Sequence, residues 1–162
     1  THFAEEFCPR LMGNEDDFGN LNYDVRTYIS TEFLTEITWA FKAGGQYNFG
    51  KTPYFKSAFL GGKDNLRGFH KQRFAGDEMV HFNIDSRIFL SNYYFVIPGQ
   101  MGLILFSDVG RVFVEDEYSE KWHSSYGSGL WFSAIYPEYL LSFYVANSDE
   151  QLRFYIDIGF LF

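Results

Sequence analysis

What most limits the folds open to this chain is a two-residue alternation sustained over unusually long runs. It is clearest at Gln151–Phe162. There Leu152, Phe154, Ile156, Ile158, Phe160 and Phe162 fall on one face, and Arg153, Tyr155, Asp157, Gly159 and Leu161 on the other. A period of two puts successive side chains on opposite sides of a strand. The same pattern predicts six further strands, over about Leu21–Ser30, Ile37–Phe49, Met79–Ser91, Gly99–Val112, Ser124–Ile135 and Tyr139–Ala146. The fold class is therefore all-β, and the strands exceed the roughly five or six residues usual in globular sheets.

Alternation alone fits two architectures. A soluble sandwich hides its apolar stripes in a dry core, whereas a membrane barrel turns them to lipid and its polar faces to the lumen. No apolar run approaches the roughly 18–20 residues of a membrane helix, Met101–Phe106 being among the longest. A membrane strand needs only about 9–11 residues, every second one apolar. Connections favour the barrel. Thr31–Glu36, Asn92–Pro98 and Tyr136–Glu138 are short, Gly50–Glu78 and Phe113–His123 are long, and the short link Asn147–Glu150 is an exception. Short turns at one end and long loops at the other are the habit of bacterial barrels. Aromatic residues (20 Phe, 12 Tyr, 3 Trp in all) cluster at strand ends: Phe33, Tyr93, Tyr94, Phe95, Tyr136, Tyr139 and Phe162. Such positions suit an interfacial girdle.

In lipid every backbone donor and acceptor needs a partner, so the sheet must close. Seven strands are odd and fall short of the eight at which bacterial barrels begin. Either Thr1–Leu11 adds a strand, or the chain is part of a larger barrel, or it closes with a second copy; the larger barrel is the favoured reading. Residues 1–20 are expected to be an extracellular loop or partial strand, and residues 21–162 the barrel wall. The opening Thr-His-Phe-Ala-Glu-Glu is not a signal peptide, which for an exported protein implies a mature chain or a fragment.

The net charge is −8, with acids at Glu5–Glu6, Glu15–Asp17, Asp77–Glu78 and Glu115–Glu120, read as solvated loops. Basic patches are absent, which excludes nucleic acid as an expected partner. The single cysteine, Cys8, excludes an internal disulfide. No catalytic constellation is found. His70, His81 and His123 lack metal-ligand spacing, and Gly13–Asp17 lacks the order of a calcium loop. Tyr126-Gly127-Ser128-Gly129-Leu130 opens no helix and so is no phosphate cradle. Neither enzyme activity nor a cofactor nor a metal is expected.

The long connection reads Phe-Leu-Gly-Gly-Lys-Asp-Asn-Leu-Arg-Gly-Phe-His-Lys-Gln-Arg-Phe-Ala-Gly over residues 59–76. Its triplet Arg67-Gly68-Phe69 resembles the sixth-loop motif of the BamA/TamA superfamily, the bacterial surface antigen family. Asn83-Ile84-Asp85-Ser86-Arg87 on the next strand is similar to that family's Asn-x-Glu-x-Arg, with Asp85 in place of Glu. Phe106-Ser107-Asp108-Val109-Gly110 resembles its Phe-x-Asp-x-Gly, and the aromatic last strand ending at Phe162 resembles its C-terminal assembly signal. The resemblance covers about Leu21–Phe162. Barrels of that family are sixteen-stranded with five strands after the loop, the number counted here. The resemblance thus implies the C-terminal part of such a barrel in the bacterial outer membrane, with the loop of residues 50–78 folded inward.

Physical reasoning gives that loop a lock. Arg67 carries a permanently charged donor fork suited to carboxylates. Asp85 and Asp108 share the lumen-facing parity of adjacent strands. Arg67 is expected to bond Asp108 and Asp85, the latter with a reach one methylene shorter than Glu. Gly68 allows a tight turn or close approach, Phe69 packs on wall aromatics, and Gly44, Gly110, Gly127 and Gly129 give the loop room. Paired lumenal carboxylates could also suggest an acid–base pair; pairing with Arg67 explains them more simply.

By resemblance, the leading functional reading is an assembly or translocation barrel that inserts or passes polypeptides. Its last strand, with Phe154, Ile156, Ile158, Gly159, Phe160 and Phe162, forms one side of a seam that templates a client strand. Gly159 is placed to weaken local pairing. The partners implied are outer-membrane lipid, client polypeptides or other assembly proteins, and the remaining barrel strands or a second copy. The alternatives are a secretion pore or membrane anchor for an N-terminal domain, and a soluble β-sandwich binding module. Tandem periplasmic transport domains upstream favour assembly; an enzyme domain favours anchoring.

Overall fold

A computed structural model describes residues 2–8, 18–32, 34–50, 53–94, 98–114, 121–134 and 140–159, with residues 2–8, Phe18 and Ala134 described in backbone alone. The chain is all-β and antiparallel. In order come β1 (His2–Cys8), β2 (Phe18–Glu32), β3 (Glu36–Gly50), β4 (Ala58–Leu60), β5 (Phe74–Gly76), β6 (Glu78–Tyr94), β7 (Pro98–Phe113), β8 (His123–Ala134), β9 (Leu140–Ser148) and β10 (Leu152–Ile158). Eight form one sheet in the order β1-β2-β3-β6-β7-β8-β9-β10, and β4 pairs with β5 in a small sheet of its own. Among the described residues β1 and β10 pair on one side only.

Several expectations change. An eighth strand, β1, pairs with β2 from His2↔Asp24 to Cys8↔Phe18. Glu5 and Glu6, read as loop acids, lie inside it. Alternation gave it no signature because His2–Cys8 mixes apolar and acidic residues on both parities. β2 and β3 run 15 residues each, and β6 and β7 run 17 and 16, so the strands lengthen at the connections' expense. β6 carries a bulge between Phe89 and Ser91. It leaves Leu90 without a partner in the β6–β7 ladder and shifts the parity of the residues that follow; among them Tyr93 meets Phe132 with ring centroids 6.4 Å apart. Phe33, Phe95, Tyr136, Tyr139, Phe160 and Phe162 lie outside the described residues.

The two faces of the sheet are opposite in kind. One face carries exposed apolar side chains across its width: Val25, Phe41, Phe82, Ile84, Leu105, Leu130 and Phe143. The other face buries polar groups instead, among them Lys42, Asn83, Asp85, Arg87, Asp108, Ser125 and Ser142. The apolar stripes do not pack against one another, as a sandwich needs. On the polar face two small apolar clusters form. Leu60, Leu66 and Phe69 of the long loop pack together with Phe74, Met79 and Val112, and Ile104, Phe106, Trp131, Leu140, Tyr144 and Ala146 line the wall.

The long connection is thus not structureless. β4 and β5 pair over Ala58↔Gly76, Phe59↔Ala75 and Leu60↔Phe74, and the segment between them folds back onto the polar face. Gly61 and Gly62, at φ +119° and +106°, make the bend that a side chain would strain.

Candidate functional site

The site is built by the tip of this loop. Gly62 and Leu66 exchange backbone hydrogen bonds of 3.0 and 3.1 Å, closing a turn just before Arg67. Asn65 braces it from within: its Nδ2 donates to the Phe59 carbonyl at 3.0 Å and its Oδ1 accepts from the Gly61 N–H at 2.9 Å. The wall grips the same turn. Asn83 Nδ2 donates to the Asn65 carbonyl at 2.9 Å, and Lys42 Nζ donates to the Asp64 carbonyl at 2.5 Å.

Arg67 then enters a buried pocket between β6 and β7. Asp85 and Asp108 lie on these neighbouring strands with inward parity; Asp85 sits opposite Phe106 and Asp108 opposite Asn83 in the ladder. Arg67 donates to both. Its Nε and backbone N–H reach Asp108 Oδ2 at 2.8 and 3.0 Å, and its Nη2 reaches Asp108 Oδ1 at 2.6 Å. Nη1 and Nη2 fork onto Asp85 at 3.1 and 2.6 Å. The shorter aspartate therefore makes a two-pronged contact at position 85. Arg67 is 2% exposed and Asp85 0%. The guanidinium carbon also stands 3.8 Å above the centroid of the Phe106 ring. Burial works against the charge on Arg67, but the bonds from Asp108 and Asp85 more than offset it and hold the guanidinium pKa above its ordinary value. One cation between two carboxylates leaves a formal charge of about −1, and Arg87 adds a second cation two residues beyond Asp85 on the same face.

The flanking motif residues acquire specific tasks. Gly68, at φ +86°, brings the backbone onto the wall, where an added Cβ would sit 3.1 Å from Ser148 Cβ and 3.2 Å from Ser125 Cβ. Its N–H donates to Tyr155 Oη and its carbonyl accepts from Ser148 Oγ, both at 3.0 Å. Phe69 is fully buried. It meets Phe74 of its own loop edge-on at 5.3 Å and, on the wall, the His123 ring at 5.8 Å; Leu60 and Leu66 complete its surroundings. Its wall contact is thus a histidine, which in turn stacks on Phe74 at 3.7 Å.

Of the four glycines expected to give the loop room, Gly110 faces it directly: a Cβ there would meet Leu60 Cδ1 at 2.9 Å. Gly44 instead accommodates His81, Gly127 accommodates Phe106, and Gly129 accommodates Tyr144. Gly127 still serves the site, because the ring it admits is the one beneath Arg67. Within Phe106-Ser107-Asp108-Val109-Gly110, then, the three inward positions supply a ring, a carboxylate and a gap.

Phe154, Ile156 and Ile158 are far from this cluster and point outward from β10, 68–81% exposed. Gly159 follows at φ +105° and donates to the Leu140 carbonyl at 2.6 Å. Phe160 and Phe162, expected to complete the seam, fall outside the described residues. Phe106 is the first residue of its motif, whereas Tyr144, Ser148 and Tyr155 belong to no motif, and only the inward parity of β9 and β10 points to them. Arg87, the last residue of its motif, lies toward the short-turn end. There it lines a cavity of about 200 Å³ with Glu36, Phe89, Gln100, Trp131 and Leu140. Among the described residues no His, Cys, Asp and Glu cluster could hold a metal ion. Protein-family models, curated proteins and solved structures gave no match to the chain.

Proposed function

We propose that this chain is part of the wall of a transmembrane β-barrel in the bacterial outer membrane, of the assembly or translocation type suggested by its resemblance to the BamA/TamA superfamily. The observation that carries the reading is the inverted distribution of polarity. A wide exposed face is apolar, and the groups withdrawn from solvent include an arginine, two aspartates and a lysine. Water-soluble proteins rarely expose a contiguous apolar surface of this extent, whereas lipid makes it the favourable arrangement.

The inward loop supports a barrel larger than the eight strands in hand. The interior of a closed eight-stranded barrel is just wide enough for side chains or one small ligand. Here the polar face also holds the loop backbone, with its own strand pair and apolar cluster. Closure therefore draws on further strands, from the same chain or from a second copy. A templating edge for client polypeptides is the functional half of the reading, with β10 as one side of the seam.

Trp39 faces outward and Trp131 inward, which gives a direct test in vesicles. Full chain retaining only Trp39 should be quenched by lipids brominated in the acyl chain, and protein retaining only Trp131 should not. Equal, weak quenching of both sinks the membrane reading. The assembly function is tested by adding an unfolded barrel precursor to the same vesicles: faster insertion than into protein-free vesicles supports it, and an unchanged rate removes it.

A further inference from the structure

Among the described residues strand β10 has a neighbour on one side only, β9. Its outward residues are 55–81% exposed. Its inward residues, in contrast, are all held by the long loop. Asp157 accepts from Lys63 Nζ at 2.7 Å, Tyr155 Oη accepts from the Gly68 N–H at 3.0 Å, and Arg153 contacts the His70 ring. The turn that enters β10 is held as well: Arg73 Nε reaches both oxygens of Glu150 at 2.9 Å, and Ser148 Oγ donates to the Gly68 carbonyl. The grip spans the loop from Lys63 to Arg73 and the strand from Asp157 back to its turn.

We propose that the loop is a clasp on the edge strand, anchored by the buried Arg67–Asp85–Asp108 cluster, so that withdrawing the loop frees the β9–β10 hairpin to leave the sheet. The proposal rests on the reading of β10 as one side of a seam and adds what controls that side. Its physical basis is the contrast between anchor and grip. The grip pairs Lys63–Asp157 and Arg73–Glu150 are solvent-accessible, and such pairs are individually weak. The anchor is buried and charge-assisted, and breaking it is costly. The hydrogen bonds of the Arg67 side chain to Asp85 and Asp108 tie it to β6 and β7. It bears on the edge through the backbone that carries Lys63, Gly68, His70 and Arg73, and through the Phe106 ring beneath it, which meets Tyr144 of the hairpin edge-on at 5.5 Å. A short strand paired on one side and gripped by weak contacts is the element most easily exchanged against a competing strand, and one buried cluster sets how long the grip lasts.

The test is hydrogen–deuterium exchange of the full chain in lipid nanodiscs, read at Leu152–Ile158 with β2–β3 as the internal standard. Arg73→Glu is expected to speed exchange in β10 about two- to fivefold, and adding Glu150→Arg to restore the parental rate. Arg67→Met is expected to speed it by more than about a hundredfold while β2–β3 stay protected. β10 exchange that ignores Arg67→Met in a protein whose β2–β3 remain protected overturns the clasp. If Arg67→Met fails to fold, the charge-reversal pair decides: an Arg73→Glu effect that Glu150→Arg does not reverse, or no effect at all, overturns it equally. Precursor insertion is measured on the same preparations. Lost insertion with β10 exchange still following the loop removes the assembly reading and leaves the clasp standing.

Discussion

Replacing Arg67 by methionine isolates the energetics of the buried cluster. The substitution keeps most of the side-chain volume over Phe106 but removes the cation bonded to both Asp85 and Asp108. Five hydrogen bonds disappear or change character, four from the guanidinium and one from the backbone N–H that the side chain positions. Both acids are almost wholly buried, so neither can turn to water without the loop moving. Removing one partner of such a cluster costs about 3–5 kcal/mol, because the remaining charge is left unpaired. For a chain of this size that is a fall of about 6–20 °C in a cooperative melt. The cost lies in the orphaned carboxylates. Adding Asp85→Asn and Asp108→Asn to Arg67→Met should therefore recover more than half of it. The assay is thermal loss of the compact, folded gel-mobility form in detergent, repeated in urea with tryptophan fluorescence as the readout. The reasoning is refuted if Arg67→Met melts within about 2 °C of the parent, less than 1 kcal/mol of lost stability would produce. It is equally refuted if the triple variant melts no higher than the single one.

Other consequences are independent of that cluster. Leu105→Arg on the exposed apolar face should cost about 2–4 kcal/mol in lipid by urea unfolding; a cost under about 0.5 kcal/mol, as for an ordinary water-exposed site, would contradict lipid contact. Gly127→Ala should destabilise more than Gly110→Ala in the same assay. A Cβ at Gly127 meets the Val145 carbonyl oxygen at 2.0 Å, whereas at Gly110 its nearest neighbour is the mobile end of Leu60 at 2.9 Å. Acid should loosen the hairpin. The hydrogen bond from Arg73, and then its charge, hold the Glu150 carboxyl below the ordinary carboxylate range, with Asp149 opposing and His123 assisting. A depressed folded-state pKa contributes stability that is present above the unfolded value and lost as the pH falls through the folded one. Glu150→Gln should then abolish that part of the acid-induced rise in β10 exchange below about pH 4.5.

Much of the sheet is legible in the sequence because a strand's period is fixed. Asp85 and Asp108 share a parity, so an arginine on the polar side can be matched to both from the sequence. Three kinds of feature escaped. The bulge between Phe89 and Ser91 adds one residue to one strand, and nothing in the local alternation distinguishes it from an ordinary apolar pair. The loop's contacts escaped for a different reason. Lys63 and Asp157 are 94 residues apart, and neither belongs to a pattern that names the other. Pairing a loop lysine with one of several acids requires knowing where the loop tip lies. That position follows from the Gly61–Gly62 bend and the β4–β5 pairing, which alternation over three residues cannot announce. β1 was obscured by its acids, since alternating polarity is not what makes His2–Cys8 a strand.

The spacing of these contacts also orders them in time. Arg67 leaves the ribosome, and any export channel, before every residue that will hold it. Asp85 follows 18 residues later and Asp108 41 residues later, but the His70 partner Arg153 comes 83 residues later and the Lys63 partner Asp157 94. A loop of that length closes more slowly and at greater entropic cost than a short one. In a chain that emerges from its N-terminus, the β6–β7 hairpin can capture the loop while β9 and β10 are still arriving. Strand β10 then docks onto a tip already in place, and the β9–β10 hairpin is secured after the loop that holds it.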